Sequence, residues 1–165
     1  MAKKEKKEEK RIAVVRVRGR VNIRKPIADT LKLLNLTRVN HCVVVPNTPL
    51  YTGMVNKAKD YITWGEINPD TAIKLLQKRA RLDGNKRLDD EYLAKNTRYK
   101  SIDEFAKAFI NLDAELKEVP ELKPVFRLRP PKKGYERAGI KKPFSVGGAL
   151  GYRKDEINDL LGKMI

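Results

Sequence analysis

Twice this chain sets a helix-capping residue directly before a proline at the end of a short β-branched run. Thr48-Pro49 follows VNHCVVVP (39–46), and Asn68-Pro69 follows YITWGEI (61–67). A cap with proline at the first helical position starts a helix, and short Val/Ile-rich runs bounded by turns are strands. RIAVVRVRGRV (11–21) adds an earlier strand, and its arginines alternating after Val15 suggest one wet, basic face. NIRKPIADTLKLLNL (22–36) supplies the helix between, with Pro26 in its first turn and Ile27, Leu31 and Leu34 on one face. Asn35 is suited to a left-handed stop. The second helix is expected to turn Leu50, Met54, Ala58 and Tyr61 inward. The third, running to about Arg81, is expected to turn Ile73, Leu76 and Ala80 inward. The order β-α-β-α-β-α over 11–81 favours an α+β or α/β arrangement, one sheet with helices packed on one side.

LDGNKR (82–87) carries turn chemistry and marks a boundary. Beyond it lies an extension of different character, 82–165. From 89 to 118 eight acidic residues outnumber five basic ones, and SIDE (101–104) has the capping-box pattern before Ile102, Phe105, Ala106 and Phe109. This reads as a helical insert with a structural role. Residues 125–153 are basic loops broken by glycine and proline. KDEINDLLGKMI (154–165) closes with Ile157, Leu160, Leu161 and Met164 at helical spacing. Residues 1–10 alternate Lys and Glu and read as a solvated tail.

Charge narrows the function. Lys and Arg number 37 against 21 Asp and Glu, a net +16, and an excess of that size on 165 residues calls for a polyanion. No window approaches the ~20 apolar residues of a spanning helix, so a membrane is not expected. One cysteine cannot close an internal disulfide, which suits a reducing, cytoplasmic setting. The cations fall in three clusters. Residues 11–25 hold six with no acid, among them Arg18, Arg20, Arg24 and Lys25, and 74–87 hold six, including Arg79, against Asp83 alone. Residues 127–142 hold seven (Arg127, Arg129, Lys132, Lys133, Arg137, Lys141, Lys142) against one acid. Such side chains bind phosphate oxygens, arginine bidentately. Tyr135, Phe144 and Tyr152 lie among glycines and cations, suited either to stack on unpaired bases or to anchor loops.

Catalytic chemistry finds little support. His41 and Cys42 are the only residues of their kinds. As strand neighbours they point to opposite faces, and no zinc constellation is available. There is no P-loop, and GGALG (147–151) lacks the βαβ setting of a dinucleotide fingerprint. No cofactor, metal or small-molecule substrate is expected, and no enzymatic activity.

The residues of 22–67 resemble the core of the large-subunit ribosomal protein L-thirty family, called L-seven in eukaryotes. The marks are LKLLNL, TRVNHCVVVPNTP and GMVNKAKDYI, and FSVGGALGYRKDEINDLLGKMI is similar to the end of the archaeal and eukaryotic branch. The short tail suggests the archaeal form. The resemblance implies a ferredoxin-like βαβαβ core, a three-stranded antiparallel sheet with helices on one face, carrying the helical and basic-loop extension. It implies binding to large-subunit rRNA near the 5S rRNA, among neighbouring ribosomal proteins, without catalysis. Positions matching the family's RNA contacts are Arg24, Lys25, Thr48, Thr52, Asn56 and Lys57. Tyr51 and Thr52 stand where bacterial members often carry a basic residue. Arg153 joins the set on charge and loop chemistry.

A ribosomal rRNA-binding protein is thus the leading expectation. A chromatin-type DNA-binding protein uses the same charge, although helix-turn-helix, zipper and zinc-finger patterns are lacking. An RNA-processing enzyme would need carboxylates that converge only in three dimensions.

Overall fold

The computed structural model describes residues 11–165, so the expected charged tail at 1–10 lies outside the described residues. The leading elements alternate as expected: β1 (Arg11–Arg16), α1 (Lys25–Leu33), β2 (His41–Pro46), α2 (Pro49–Lys57), β3 (Ile62–Glu66) and α3 (Pro69–Arg79). In the extension follow α4 (Asp90–Asn96), α5 (Ile102–Ile110), β4 (Phe126–Arg127), β5 (Gly151–Tyr152) and α6 (Ile157–Met164). The sheet order is β4-β2-β1-β3-β5. The antiparallel core β2-β1-β3 is the one the resemblance implied, in register Val15↔Cys42 and Val14↔Trp64. The extension widens it at both edges, β4 antiparallel to β2 and β5 parallel to β3.

Local chemistry explains the turns. Asn35 takes φ +60, and the end of α1 closes with Leu36 N–H donating to Leu31 O at 2.8 Å and Asn35 N–H to Lys32 O at 3.0 Å. This is the left-handed stop with both orphan carbonyls satisfied, and Leu31 packs with Leu36 beneath it, both fully buried. Thr48 and Asn68 sit at the N-caps with Pro49 and Pro69 next, although neither cap side chain makes a hydrogen bond. Along α2 the expected stripe holds except at its start: Ala58 is buried and Met54 and Tyr61 pack half-buried against the core, but Leu50 is exposed. Val55, outside the expected stripe, is fully buried and Tyr51 packs half-buried beside it. Along α3, Leu76 and Ala80 are buried as expected and Ile73 is only partly covered.

The sheet is covered on both faces. Ile12 and Val14 face one core with Val43, Leu31, Leu34 and Val55, the α1/α2 side expected to hold all the helices. Ala13, Val15 and Cys42 face a second core built by α3, α5 and α6 with Phe105, Phe109, Phe126 and Leu161. For that reason β1 has no wet basic face. Arg11 and Arg16 are 5 % and 3 % exposed, and a central strand between two helical layers offers no solvent to an arginine head. Each buried guanidinium spends its donors on main-chain oxygens instead: Arg11 on Phe109 and Ala114.

The SIDE box is half formed. Ser101 Oγ accepts from Glu104 N–H at 3.3 Å, but Glu104 reaches Lys100 N–H, while Glu115 and Glu118 complete a reciprocal box of their own. Ile102, Phe105, Ala106 and Phe109 are buried as the pattern predicts, and so are Ile157, Leu160, Leu161 and Met164. Gly65 lets the turn at 154–156 and Ile157 lie on β3, because a Cβ there would strike Lys154 O.

Candidate nucleic-acid interface

Antiparallel topology decides where the cations gather. β1 leaves the sheet where β2 and β3 enter it, since Arg16 pairs with Ile62 and Val15 with Cys42. α1 starts from that end. α2 ends just before β3, and α3, which starts beyond the far end of β3, returns toward it. β4 runs against β2 and brings Arg127 opposite His41. The last turn of α6 arrives there too, with Arg129 N–H donating to Met164 O at 3.0 Å and Lys132 N–H to Lys163 O at 3.0 Å. Arg18, Arg20, Arg24, Lys25, Asn56, Lys57, Arg79, Arg127, Arg129, Lys132 and Lys133 therefore share the β1-exit end.

A buried arginine shapes part of this surface. Arg16 donates from Nε to Arg18 O (2.9 Å), from Nη1 to Leu36 O (2.7 Å) and from Nη2 to Gly19 O (3.0 Å). It fixes the loop after β1 from beneath, leaving Arg20 exposed and Arg18 partly so. Arg18 lies over the Tyr61 ring at 4.9 Å and donates to Asp60 O, and Arg20 donates to Thr37 O at 2.8 Å. Both are oriented by neutral carbonyls and keep their charge for a partner. Arg24 and Lys25 open α1 with no acid in its first turn. Cations at the positive end of a helix dipole are mutually unfavourable, and a bound anion would relieve them.

His41 lies amid this charge. Burial first, then the guanidiniums of Arg127 and Arg38, hold its imidazole below the ordinary histidine value, so it is neutral at pH 7. Cys42 faces the opposite core, fully buried, its thiol pushed up to about 12 by burial. Neither is placed to act as a nucleophile with the other.

Thr48 is not part of the gathering, since it follows β2 at the far end of the sheet. Thr52 lies midway along α2, its Oγ1 donating to Asn47 Oδ1 at 3.1 Å. Asn56 and Lys57 lie at the other end of the same helix, about 13 Å along from Thr48. Arg153 is placed differently from a surface contact. It is 3 % exposed, and donates from Nε to Thr63 Oγ1 (2.7 Å) and from Nη2 to Ala149 O (2.9 Å) and Glu136 Oε2 (2.6 Å). Its guanidinium lies over the Phe144 ring at 4.6 Å. Glu136 and Arg153 thereby pin the 135–150 loop to β3, with Arg137, Lys141 and Lys142 exposed on its outside. Tyr135 is half-buried, its hydroxyl 3.1 Å from Asn40 Oδ1, which is the loop-anchoring alternative. Within the same loop Gly148 passes so close beneath Lys142 O that a Cβ would collide with it. Tyr152 is exposed and donates to Glu66 Oε1 at 2.5 Å.

Two contributors escaped the residue pattern. Arg16 reads as one of an alternating basic series and is in fact the support under it, and Arg38, in the turn before His41, joins the charge around the imidazole. Among the described residues, no three His, Cys, Asp or Glu side chains converge as a metal site would need. A cleft of about 430 Å³ lies along β2, lined by Val43, Val45, Leu33 and Pro124, with Glu115 its sole carboxylate. No helix is long and apolar enough to cross a membrane.

Residues 12–62 match the family described as Ribosomal protein L30p/L7e. The chain is 53 % identical over 149 residues to the large ribosomal subunit protein uL30 of Methanopyrus kandleri, covering 90 % of this chain and 100 % of that one. It is 58 % identical over 153 residues to the protein of that name from Methanococcus maripaludis, covering 93 % and 98 %. With that of Methanosphaera stadtmanae the identity is 57 % over 93 % of this chain and 99 % of the other. All three organisms are archaea.

Proposed function

Because this chain belongs to the ribosomal protein L30p/L7e family, we propose that it is a structural constituent of the large ribosomal subunit, held there by rRNA at the β1-exit end of its sheet. The observation that carries this reading is the likeness to archaeal large-subunit proteins along nearly the whole chain. The RNA part is supported by the exposed and half-exposed cations that the topology collects at one end and on the outside of the 135–150 loop. Arg18, Arg20, Arg24, Lys25, Lys57, Arg127, Lys132, Lys133, Arg137, Lys141 and Lys142 bind phosphates, and Asn56 accepts or donates to the backbone. The fold's work is positional: it holds charged loops against a folded RNA surface and neutralises backbone that would otherwise repel itself. No bond-making step is required, and the setting is the cytoplasm. The 5S rRNA region and adjacent ribosomal proteins are the expected neighbours. Arg153 and Tyr135 serve as supports of the 135–150 loop, and Thr48 faces whatever lies beyond the other end.

In a cell extract at low salt the protein should sediment with large ribosomal subunits and leave them only at high salt. Sedimentation with the nucleoid instead, free of ribosomes, would overturn the reading in favour of a DNA-binding role. Replacing Lys132 and Lys133 with alanine should weaken binding to rRNA fragments. The log–log salt slope should flatten by about 0.7–0.9 for each lost phosphate contact. An unchanged slope would strike both lysines from the interface.

A further inference from the structure

At the β1-exit end, four arginines lie around the C-terminal ends of α3 and α6. Arg81 and Arg87 face each other across an isolated antiparallel bridge, closed by Leu82 N–H donating to Lys86 O at 2.9 Å. Cross-strand neighbours hold their Cβ atoms about 5 Å apart, which is costly for two like charges unless something negative lies between them. Arg79 and Arg129 are tied to the same turn of α6: Arg79 donates from Nη2 to Ile165 O at 2.6 Å, and Arg129 from its main-chain N–H to Met164 O at 3.0 Å. Arg79 is held below the usual arginine range by burial and then by the charges of Arg129, Arg81 and Arg87, so the four share one electrostatic neighbourhood.

No acidic side chain among the described residues pairs with them. Among the described residues the ion pairs are Lys123–Asp83 and Arg153–Glu136, and none involves these four. Asp83, the acid in the hairpin turn, is engaged by Lys123 at 3.6 Å. Arg79 Nε is buried with no acceptor among the described residues. A purely structural account covers part of this: one arginine closing the C-terminal end of α6 is favourable. It accounts for a single bond from Arg79. It leaves the Arg81–Arg87 juxtaposition and the side chain of Arg129 unexplained.

We propose that Arg79, Arg81, Arg87 and Arg129 form a phosphodiester-binding site for an RNA backbone, with Arg81 and Arg87 gripping phosphate from either side of the hairpin. Guanidinium forks match phosphate oxygens bidentately, and their shared repulsion is what the anion removes. Arg129 stands two residues beyond Arg127 in an extended segment, about 7 Å on. The site thereby continues the β1-exit surface and makes one track from the loop after β1 to the 81–87 hairpin. The inference rests on the RNA reading above and adds Arg81 and Arg87, which the basic run 74–87 contains but does not single out.

The test is the salt dependence of binding to a polyuridylate oligonucleotide, by fluorescence anisotropy, with the full chain. The double variant Arg81→Gln/Arg87→Gln should flatten the log–log slope by about 1.4, two single-strand phosphate contacts. The pair Arg87→Gln/Arg129→Gln should do the same, which keeps the test open should the first pair disturb the hairpin. Lys95→Gln/Lys107→Gln, on exposed positions of α4 and α5, should leave it unchanged. If the wild type binds and both arginine pairs keep its slope, the quartet is not a phosphate site while the RNA reading stands. If the α4/α5 control flattens the slope equally, only bulk charge is at work and the site is refuted. Failure of the wild type to bind overturns the RNA reading and this inference with it. Inorganic phosphate replacing chloride at equal ionic strength should not displace the oligonucleotide; displacement would mark a free-anion site instead.

Discussion

Arg153→Ala should lower the stability of the isolated protein by about 2–4 kcal/mol: the Glu136 it leaves unmatched keeps 26 % exposure, but Thr63 and the Ala149 carbonyl lose a buried donor as well. Four partners lose their bonds together: both Glu136 oxygens, Thr63 Oγ1 and the Ala149 carbonyl. Thr63 is itself fully buried, and still donates to Gly151 O at 2.9 Å, so the loss is felt at the pairing of β3 with β5. For a chain of this size the melting temperature should fall by on the order of 10 °C. A variant melting within a degree or two of the wild type would show that the clamp carries no weight. Acid provides the same test without mutation. Burial pulls the Glu136 carboxyl upward, but the hydrogen bonds and charge of Arg153 outweigh it and hold the group below the ordinary glutamate value. The folded state thus prefers the carboxylate. Its contribution is complete above the unfolded glutamate range and is lost as pH falls through the lower folded value. Glu136→Gln should remove that part of the acid sensitivity, and a wild-type acid limb left unchanged by the substitution would refute it.

Phe126→Ala is expected to cost about 3–5 kcal/mol, by a different route. Its ring is fully buried, lies in the α3/α5/α6 core and sits opposite Cys42 in a strand of two residues. A strand so short has few ladder bonds to hold it, so the side chain does most of the anchoring. The urea midpoint should drop accordingly, and a loss under about 1 kcal/mol would mean the site collapses around the missing ring. Because Phe126 belongs to one continuous core with residues of β1, β2 and α5, the leading βαβαβα unit and the extension should unfold in one transition. Separate transitions for the two would contradict this.

Where local chemistry is decisive, the sequence was readable. Asn35 stops α1 because its left-handed conformation is cheap for asparagine, and Pro49 and Pro69 start helices because their rings already hold the helical φ. The stripes of α5 and α6 stand out because each has one apolar face. Leu50 differs for the converse reason: apolar residues on α2 span a wide arc from Tyr51 through Val55 and Ala58 to Met54, and only the packed sheet decides that Leu50 falls outside it. The second helical layer was invisible because a buried strand and a half-buried one can both read as β-branched residues followed by arginines. β4 and β5 exist only through their partners, and two residues carry no periodicity. For the interface, counting charges along the chain found the three basic clusters. It could not tell Arg16 and Arg153, which are buried supports, from Arg18 and Lys142, which face outward. Nor could it place Thr48, one helix length from Lys57, at the other end of α2.

The gathering of cations at one end has a kinetic meaning as well. Glu66 ends β3, and Asp70, Asp155 and Glu156 follow the exits of β3 and β5 at the other end, so the charge of the body is unevenly divided along the strand axis. In the field of a polyanion such a body feels a torque as well as a pull. It turns its β1-exit end forward before contact, and fewer encounters are wasted on wrong orientations. The advantage is greatest in dilute salt and shrinks as the Debye length falls below the length of the sheet. Chain topology, by deciding at which end each helix starts and stops, thus sets the heading with which the protein arrives.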